Sequence, residues 1–128
     1  MLARTDEHGL LTGFRYHDGT LDGVMLEDAG TVRLMIRDSD GTPNAVRLLG
    51  VTAFRMDGFR EGNTIHRMEL HSPENVVHGH LGALIKDKLY LAPSQIPDDG
   101  CVFVLYSSYG AEIIAICADV QVGLPQPS

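Results

Sequence analysis

The sequence predicts a mainly β protein with minor α content, built on an antiparallel sheet that is either barrel-like or a two-layer sandwich. Two observations support this fold class. Near the C-terminus, the apolar runs 101–106 and 112–122 are rich in β-branched and aromatic residues. Asp-Gly dipeptides also recur at the spacing of an antiparallel meander; they begin at Asp18, Asp22, Asp40, Asp57 and Asp99.

Between residues 20 and 70 the pattern predicts four strands, at 21–28, 31–37, 45–56 and 64–70. The second alternates most clearly, with Val32, Leu34 and Ile36 on its apolar face. Gly50 marks a bulge or a close backbone approach within the third. The segment before them, 1–13, is polar and lacks a sustained period, so it reads as a frayed arm or a short edge strand.

The loop 38–44 begins like a calcium-binding loop, with Asp38, Asp40 and Gly41. It lacks the later carboxylate of such a loop, and no helix pattern flanks it. Gly41 and Pro43 are turn formers, so we expect a hairpin loop here.

One helix is predicted near 73–88, because Ser72 can cap it, Pro73 suits its first position and apolar residues recur at helical spacing. Gly79 and Gly82 count against this prediction, because each would destabilise the helix by about 1 kcal/mol relative to alanine. Without the helix, 89–92 would be the remnant of an extra strand.

The C-terminal runs should form a hairpin, because Gly110 can adopt positive φ and close a three-residue loop at 108–110. In the resulting register Cys101 faces Cys117 and Leu105 faces Ile113. Both faces are apolar near the turn, which predicts a central pair of strands covered on each side. We expect one globular domain over 1–122 and a flexible tail at 123–128.

Composition fits one domain of 128 residues that folds without disulfide bonds. No apolar run approaches the ~20 residues that span a bilayer, and 1–9 has no apolar signal region, so we expect a cytoplasmic protein without membrane contact. In that compartment the two cysteines are expected to be buried thiols, although their cross-strand adjacency also allows a redox clip.

The net charge is -7 and the ten Lys and Arg residues are scattered along the chain, which disfavours nucleic-acid binding. An acidic surface suits a basic partner protein, but solubility alone also explains it. The sequence leaves a homodimer open.

Six histidines suggest a metal or small-molecule site assembled from His66, His71, His78 and His80. Against this, a cupin-type His-x-His pattern needs a glutamate soon after it, and the next one after His80 is Glu112. We therefore expect no cofactor, and keep a metal-binding or small-molecule-binding barrel, with enzymatic activity as one version of it, as the alternative.

Nucleophilic and phosphate-binding motifs are missing: no Gly-x-Ser-x-Gly and no Gly-x-x-x-x-Gly-Lys occurs. His17 and Asp18 are an acid–base candidate, but neighbours on a strand point to opposite faces and would meet only at a turn. The sequence thus predicts no catalytic residue.

The series Tyr16-His17-Asp18, followed by Phe59-x-x-x-Asn63-Thr64-Ile65, resembles a group of small bacterial proteins predicted to be immunity proteins of polymorphic-toxin systems. The resemblance covers about half of the chain, with Tyr16 where phenylalanine is usual. It implies a non-enzymatic binder whose acidic surface occludes a basic toxin.

The sequence therefore predicts a cytoplasmic protein-binding domain. The resemblance implies that this domain is immunity-like and neutralises a toxin. The candidate binding residues are Tyr16, His17, Asp18, Phe59 and Asn63. Each has a structural alternative: Phe59 as a core anchor, Asn63 as a residue in left-handed geometry, and Asp18 as a turn former.

Overall fold

The computed structural model describes residues 3–77 and 80–123. Its strands are β1 (Thr20–Leu26), β2 (Val32–Arg37), β3 (Pro43–Leu49), β4 (Ala53–Asp57), β5 (Asn63–His71), β6 (Cys101–Tyr109), β7 (Glu112–Cys117) and β8 (Asp119–Gly123). Two helices, α1 (Pro73–Val77) and α2 (His80–Leu89), lie between β5 and β6. The mainly antiparallel β fold is as predicted. The helices lie where helix was predicted, near 73–88, and α2 extends one residue further, to Leu89.

The strands form one antiparallel sheet in the order β4-β7-β6-β5-β1-β2-β3-β8. Its edge strands β4 and β8 are not paired with each other, so the sheet is not closed. At the bend between the β3–β8 and β4–β7 pairs, the Ala118 amide donates to the Leu49 carbonyl and the Thr52 amide to the Ile116 carbonyl. These two pairs are therefore halves of one bent ribbon, and the sheet is curled but open.

Gly50 lies at this bend with a φ of 63°. A Cβ at Gly50 would stand 2.9 Å from the Cβ of Ala118, so the close approach predicted at Gly50 is confirmed. The bend splits each of two predicted strands: 45–56 becomes β3 and β4, and 112–122 becomes β7 and β8. Gly123, assigned from the sequence to the tail, still pairs with Ala45; the rest of the predicted tail, 124–128, lies outside the described residues.

The register of the C-terminal hairpin is confirmed, since Cys101 pairs with Cys117 and Leu105 with Ile113. One feature of the turn differs from the prediction. β6 continues to Tyr109 instead of ending before a three-residue loop, because Ser107 and Tyr109 pair with β5. Gly110 then takes the expected positive φ, 98°.

Both faces of this hairpin are buried, as predicted. One face joins the apolar interior of the curled sheet, to which every strand contributes. The other packs beneath the helical segment, where Val76, Leu81 and Ile85 cover Val104 and Ile114.

The N-terminal segment is more integrated than a frayed arm. Leu11 is 3% exposed and its amide donates to the Met68 carbonyl, while the Ala3 amide donates to the Val120 carbonyl. The sequence does not reveal that this segment packs on the core, because its pattern is mostly polar. An irregular segment, unlike a strand, needs only one or two apolar residues to fill a gap in the core.

Candidate binding surface

The two segments that carry the predicted binding residues lie side by side along β5. The Asp18 amide donates to the Ile65 carbonyl, and the Nδ1 atom of His17 donates to the His66 carbonyl at 2.7 Å. Asn63 in turn bonds to the backbone of Leu21 in β1. The fold therefore joins residues 16–21 to residues 63–66, which are distant in sequence.

Tyr16 is a core residue and is not available to a partner. It is 8% exposed, and its hydroxyl donates to the Leu11 carbonyl at 2.6 Å. Burial raises the pKa of Tyr16. The prediction that Tyr16 binds a partner is therefore wrong: its side chain anchors the N-terminal segment.

His17 and Asp18 are exposed at a turn. Asp18 has a φ of 63°, so it is the turn former expected, and the turn brings its Oδ2 atom within 3.7 Å of the Nε2 atom of His17. The rings of His17 and His66 are 5.5 Å apart. Both histidines line an open groove of about 580 Å³ together with Arg15 and Arg67, which are ion-paired with Asp40 and Glu69.

Asn63 is wholly buried and holds three parts of the fold together. Its Oδ1 atom accepts hydrogen bonds from the Arg60 amide at 2.7 Å and the Ala111 amide at 2.9 Å, and its Nδ2 atom donates to the Leu21 carbonyl at 3.1 Å. Asn63 is not the left-handed residue suggested by the sequence; the neighbouring Gly62 has that geometry, with a φ of 78°. Asn63 therefore positions the β4–β5 loop and the β6–β7 turn without facing solvent.

Phe59 is exposed on that loop, so its alternative role as a core anchor is wrong. Phe59 is 47% exposed and Tyr109, at the β6–β7 turn, is 55% exposed. The guanidinium of Arg60 lies 5.8 Å from the centre of the Tyr109 ring. We call Phe59, Arg60 and Tyr109 the aromatic patch; it includes two residues, Arg60 and Tyr109, that sequence reasoning missed.

The aromatic patch borders a row of polar side chains on the outer face of the sheet. Tyr109 pairs with Thr64, and Thr64 pairs with Thr20. Paired residues of antiparallel strands point to the same face, so this row extends from Tyr109 towards Asp18, two residues before Thr20. The row Tyr109–Thr64–Thr20 thus runs from the aromatic patch to the first residue of β1, the strand that follows His17 and Asp18.

Two carboxylates next to the aromatic patch are available for a partner. Glu61 and Glu112 are exposed, and within 3–77 and 80–123 neither belongs to an ion pair. Asp57, which pairs with Glu112 in the sheet, is instead bound by Arg55 at 3.0 Å and Lys88 at 3.6 Å. The negative charge that a partner would meet here is therefore that of the two glutamates.

The four histidines proposed as metal ligands do not share one site in the described chain. His66 lines the groove beside His17, whereas His71 and His80 line a separate pocket of about 370 Å³. His78 lies outside the described residues. Among the residues the structure does describe, no group of three or more His, Cys, Asp or Glu side chains is placed to hold a metal ion.

The sequence reasoning also missed a buried carboxylate, Glu69, on β5. Glu69 is 8% exposed; its Oε1 atom lies 2.8 Å from Nε2 of His71 and its Oε2 atom 2.7 Å from Nε of Arg67. The Arg67 guanidinium stacks 4.5 Å from the centre of the Tyr106 ring, and burial, followed by the Glu69 charge, raises the pKa of Tyr106. A carboxylate that is hydrogen-bonded to an imidazole orients the ring. Glu69 therefore orients the ring of His71, as a histidine that transfers a proton or binds a ligand requires.

Comparison with protein-family models, with curated proteins and with solved structures found no match to this chain. Within the described ranges, no helix has both the length and the apolar character needed to cross a bilayer.

Proposed function

We propose that this chain is a non-enzymatic, cytoplasmic protein-binding domain and that the aromatic patch is its contact surface. The observation that carries the proposal is the exposure of Phe59 on the β4–β5 loop and of Tyr109 at the end of β6, two segments next to the backbone groups that a fully buried Asn63 holds in place. Tyrosine and arginine are enriched among residues that dominate binding energy. Loops that are already fixed also lose less conformational entropy when a partner binds.

The partner that fits this surface is a basic protein. The chain carries a net charge of -7, and exposed Glu61 and Glu112 flank the patch. Complementary charge accelerates encounter and selects among partners, while the buried aromatic contacts slow dissociation. The resemblance at residues 16–18 and 59–65 implies that this partner is a toxin, which the domain would neutralise by covering its active surface.

The proposal is tested by affinity capture from lysate of the native cells, with quantitative mass spectrometry. We expect one basic protein to be enriched on the wild-type chain and lost on the double variant Phe59→Ser/Tyr109→Ser. Binding of the purified partner to Glu61→Gln/Glu112→Gln should show a lower association rate and a weaker dependence on salt than binding to wild type.

The matched control is Leu26→Ser, which removes another exposed apolar side chain, 77% exposed, at the far end of β1 from Asn63. This variant should retain the partner. Retention by the double variant, or equal loss from the control, would contradict the assignment of the aromatic patch.

A second candidate function, ligand binding at the pocket beside His71, is favoured by the Glu69–His71 contact. The pocket is also lined by His8 and His80, so it presents imidazoles to a small molecule; to hold a metal ion these side chains would have to move, because no three ligands of the described residues are placed to hold one. A Zn²⁺ titration followed by calorimetry tests the metal version. Stoichiometric binding that His71→Gln abolishes would support this candidate, and absence of binding to the wild-type chain would count against it.

A further inference from the structure

The two cysteines of this chain lie opposite each other at one end of the β6–β7 hairpin. Cys101 is the first residue of β6 and Cys117 the last of β7, and their Sγ atoms are 3.6 Å apart. The Cys101 thiol also donates to the Cys117 carbonyl at 3.4 Å. Both are thiols in this structure.

The register makes Cys101 and Cys117 direct partners, which is a position where a disulfide can form. Directly opposed residues of antiparallel strands have Cα atoms about 4.5–5.5 Å apart, within the range of about 4.4–6.8 Å that disulfides span. A disulfide bond is about 2.05 Å long, so small side-chain rotations and a slight local shift would bring the sulfurs together.

The two thiols differ in access and acidity. Cys101 is partly exposed, whereas Cys117 is 2% exposed. The hydrogen bond with Cys117 lowers the pKa of Cys101, and the same interaction, together with burial, raises the pKa of Cys117. Cys101 is thus the thiol that ionises and meets an oxidant first, and Cys117 is placed to react with it afterwards.

We propose that Cys101 and Cys117 form a peroxide-sensitive dithiol that closes into a disulfide across the hairpin. The Cys101 thiolate attacks one oxygen of hydrogen peroxide, the O–O bond breaks, and the released hydroxide takes up a proton to leave as water. The Cys117 sulfur then attacks the Cys101 sulfenic acid; the S–O bond breaks, and the hydroxide that leaves takes the Cys117 proton to form a second water. Two electrons pass from the two thiols to the peroxide, and the products are one disulfide and two waters.

The position of this pair links the reaction to the shape of the sheet. Cys117 directly precedes Ala118, whose amide holds the bend between the two halves of the ribbon. A disulfide would tie the start of β6 to this bend, so we expect slower backbone amide exchange at Val102 and Ala118 in the oxidised chain.

The test exposes the full-length protein to hydrogen peroxide under native conditions and follows thiols by maleimide labelling and mass spectrometry. We expect both thiols of the wild-type chain to be lost together, the intact mass to fall by two hydrogens, and a peptide map to link the segments that contain Cys101 and Cys117. Because it uses the wild-type chain, this measurement does not depend on a variant that folds.

Single variants test the order of the reaction. Cys117→Ser should leave a Cys101 sulfenic acid that a dimedone probe traps, and Cys101→Ser should leave Cys117 largely unreactive. The proposal is overturned if both wild-type thiols survive peroxide, if the only disulfide joins two chains, or if Cys101→Ser reacts as fast as Cys117→Ser.

Discussion

Replacement of Asn63 by alanine tests the structural basis of the binding surface. The substitution removes the acceptor for the amides of Arg60 and Ala111 and the donor to the Leu21 carbonyl. Arg60 is an exposed residue, so we count no cost for its amide, but Ala111 and Leu21 are 0% and 1% exposed. Two buried backbone groups without partners, at about 1–3 kcal/mol each, predict a loss of about 2–6 kcal/mol.

The assay is equilibrium unfolding in urea, with the m-value checked to show that the unfolding transition is comparable. A loss of this size is a large part of the ~5–15 kcal/mol by which domains are stable. A loss below about 1 kcal/mol, the ordinary effect of a single substitution, would refute the role assigned to Asn63.

Two glycines give a matched comparison of the same contact. Gly110 and Gly62 both have positive φ, 98° and 78°, so alanine is strained at each, by about 1–2 kcal/mol. A Cβ at Gly110 would also collide with the Oδ1 atom of Asn63, whereas a Cβ at Gly62 meets open space. Gly110→Ala should therefore cost more than Gly62→Ala.

The excess cost of Gly110→Ala should shrink in the Asn63→Ala background, because the colliding oxygen is then absent. An excess that stays unchanged in that background would show that the two residues do not act through this contact.

Three further predictions concern stability. Hydrogen bonds from Arg33 and Arg47 hold the pKa of Glu27 below its ordinary value of 4.5. These ion pairs therefore stabilise the fold above pH 4.5, and the stabilisation is lost as pH falls through the lower pKa of the folded state. Glu27→Gln should lower Tm at pH 7 and match wild type in strong acid. Ile85→Ala should cost about 2–5 kcal/mol in urea unfolding, because Ile85 lies on the buried face of α2 and is 0% exposed. Tyr16→Phe should cost about 0.5–1.5 kcal/mol through its lost hydrogen bond.

Each of these has a control or an opposing outcome. A Tm difference for Glu27→Gln that persists unchanged into strong acid would contradict the ion-pair explanation. Leu26→Ala, at an exposed site, should cost far less than Ile85→Ala, and equal costs would mean that the helix does not bury Ile85. Tyr109→Phe should be neutral, because Tyr109 is 55% exposed.

Local chemistry made the C-terminal hairpin predictable. A turn closed by Gly110 fixes the register, and once Cys101 faces Cys117 the assignment of residues to the two faces follows. The close approach at Gly50 could be predicted for a similar reason, since glycine inside a strand pattern indicates close backbone contact.

The residues that sequence reasoning misplaced depend on distant contacts. Asparagine is a common turn residue, so the sequence predicts a turn role for Asn63. Its side chain is buried and hydrogen-bonded only because the β6–β7 turn and β1, which are distant in sequence, pack against it. Strand β1 is a similar case, because a bulge between Leu21 and Gly23 brings Leu21 and Val24 to the same core although they are three residues apart and strict alternation would place them on opposite faces. Glu69 gave no signal, because its partner Arg67 and the covering helix are recognisable only in the folded chain.

The same limit applies to the site. The exposed members of the predicted binding set, His17, Asp18 and Phe59, could be named from the sequence, but exposure itself could not. Tyr109 belongs to the patch because β6 continues past the expected end of the strand and pairs with Thr64. A reading of the strand that ends at residue 106 places Tyr109 in an ordinary turn.

Site-specific photo-crosslinking in the native cells tests the proposed binding surface most directly. A benzophenone amino acid in place of Tyr109 should give one dominant adduct with a basic protein, and the same amino acid in place of Leu26 should not. No adduct from position 109, or the same adducts from both positions, would contradict the proposal that the aromatic patch is where this domain meets its partner.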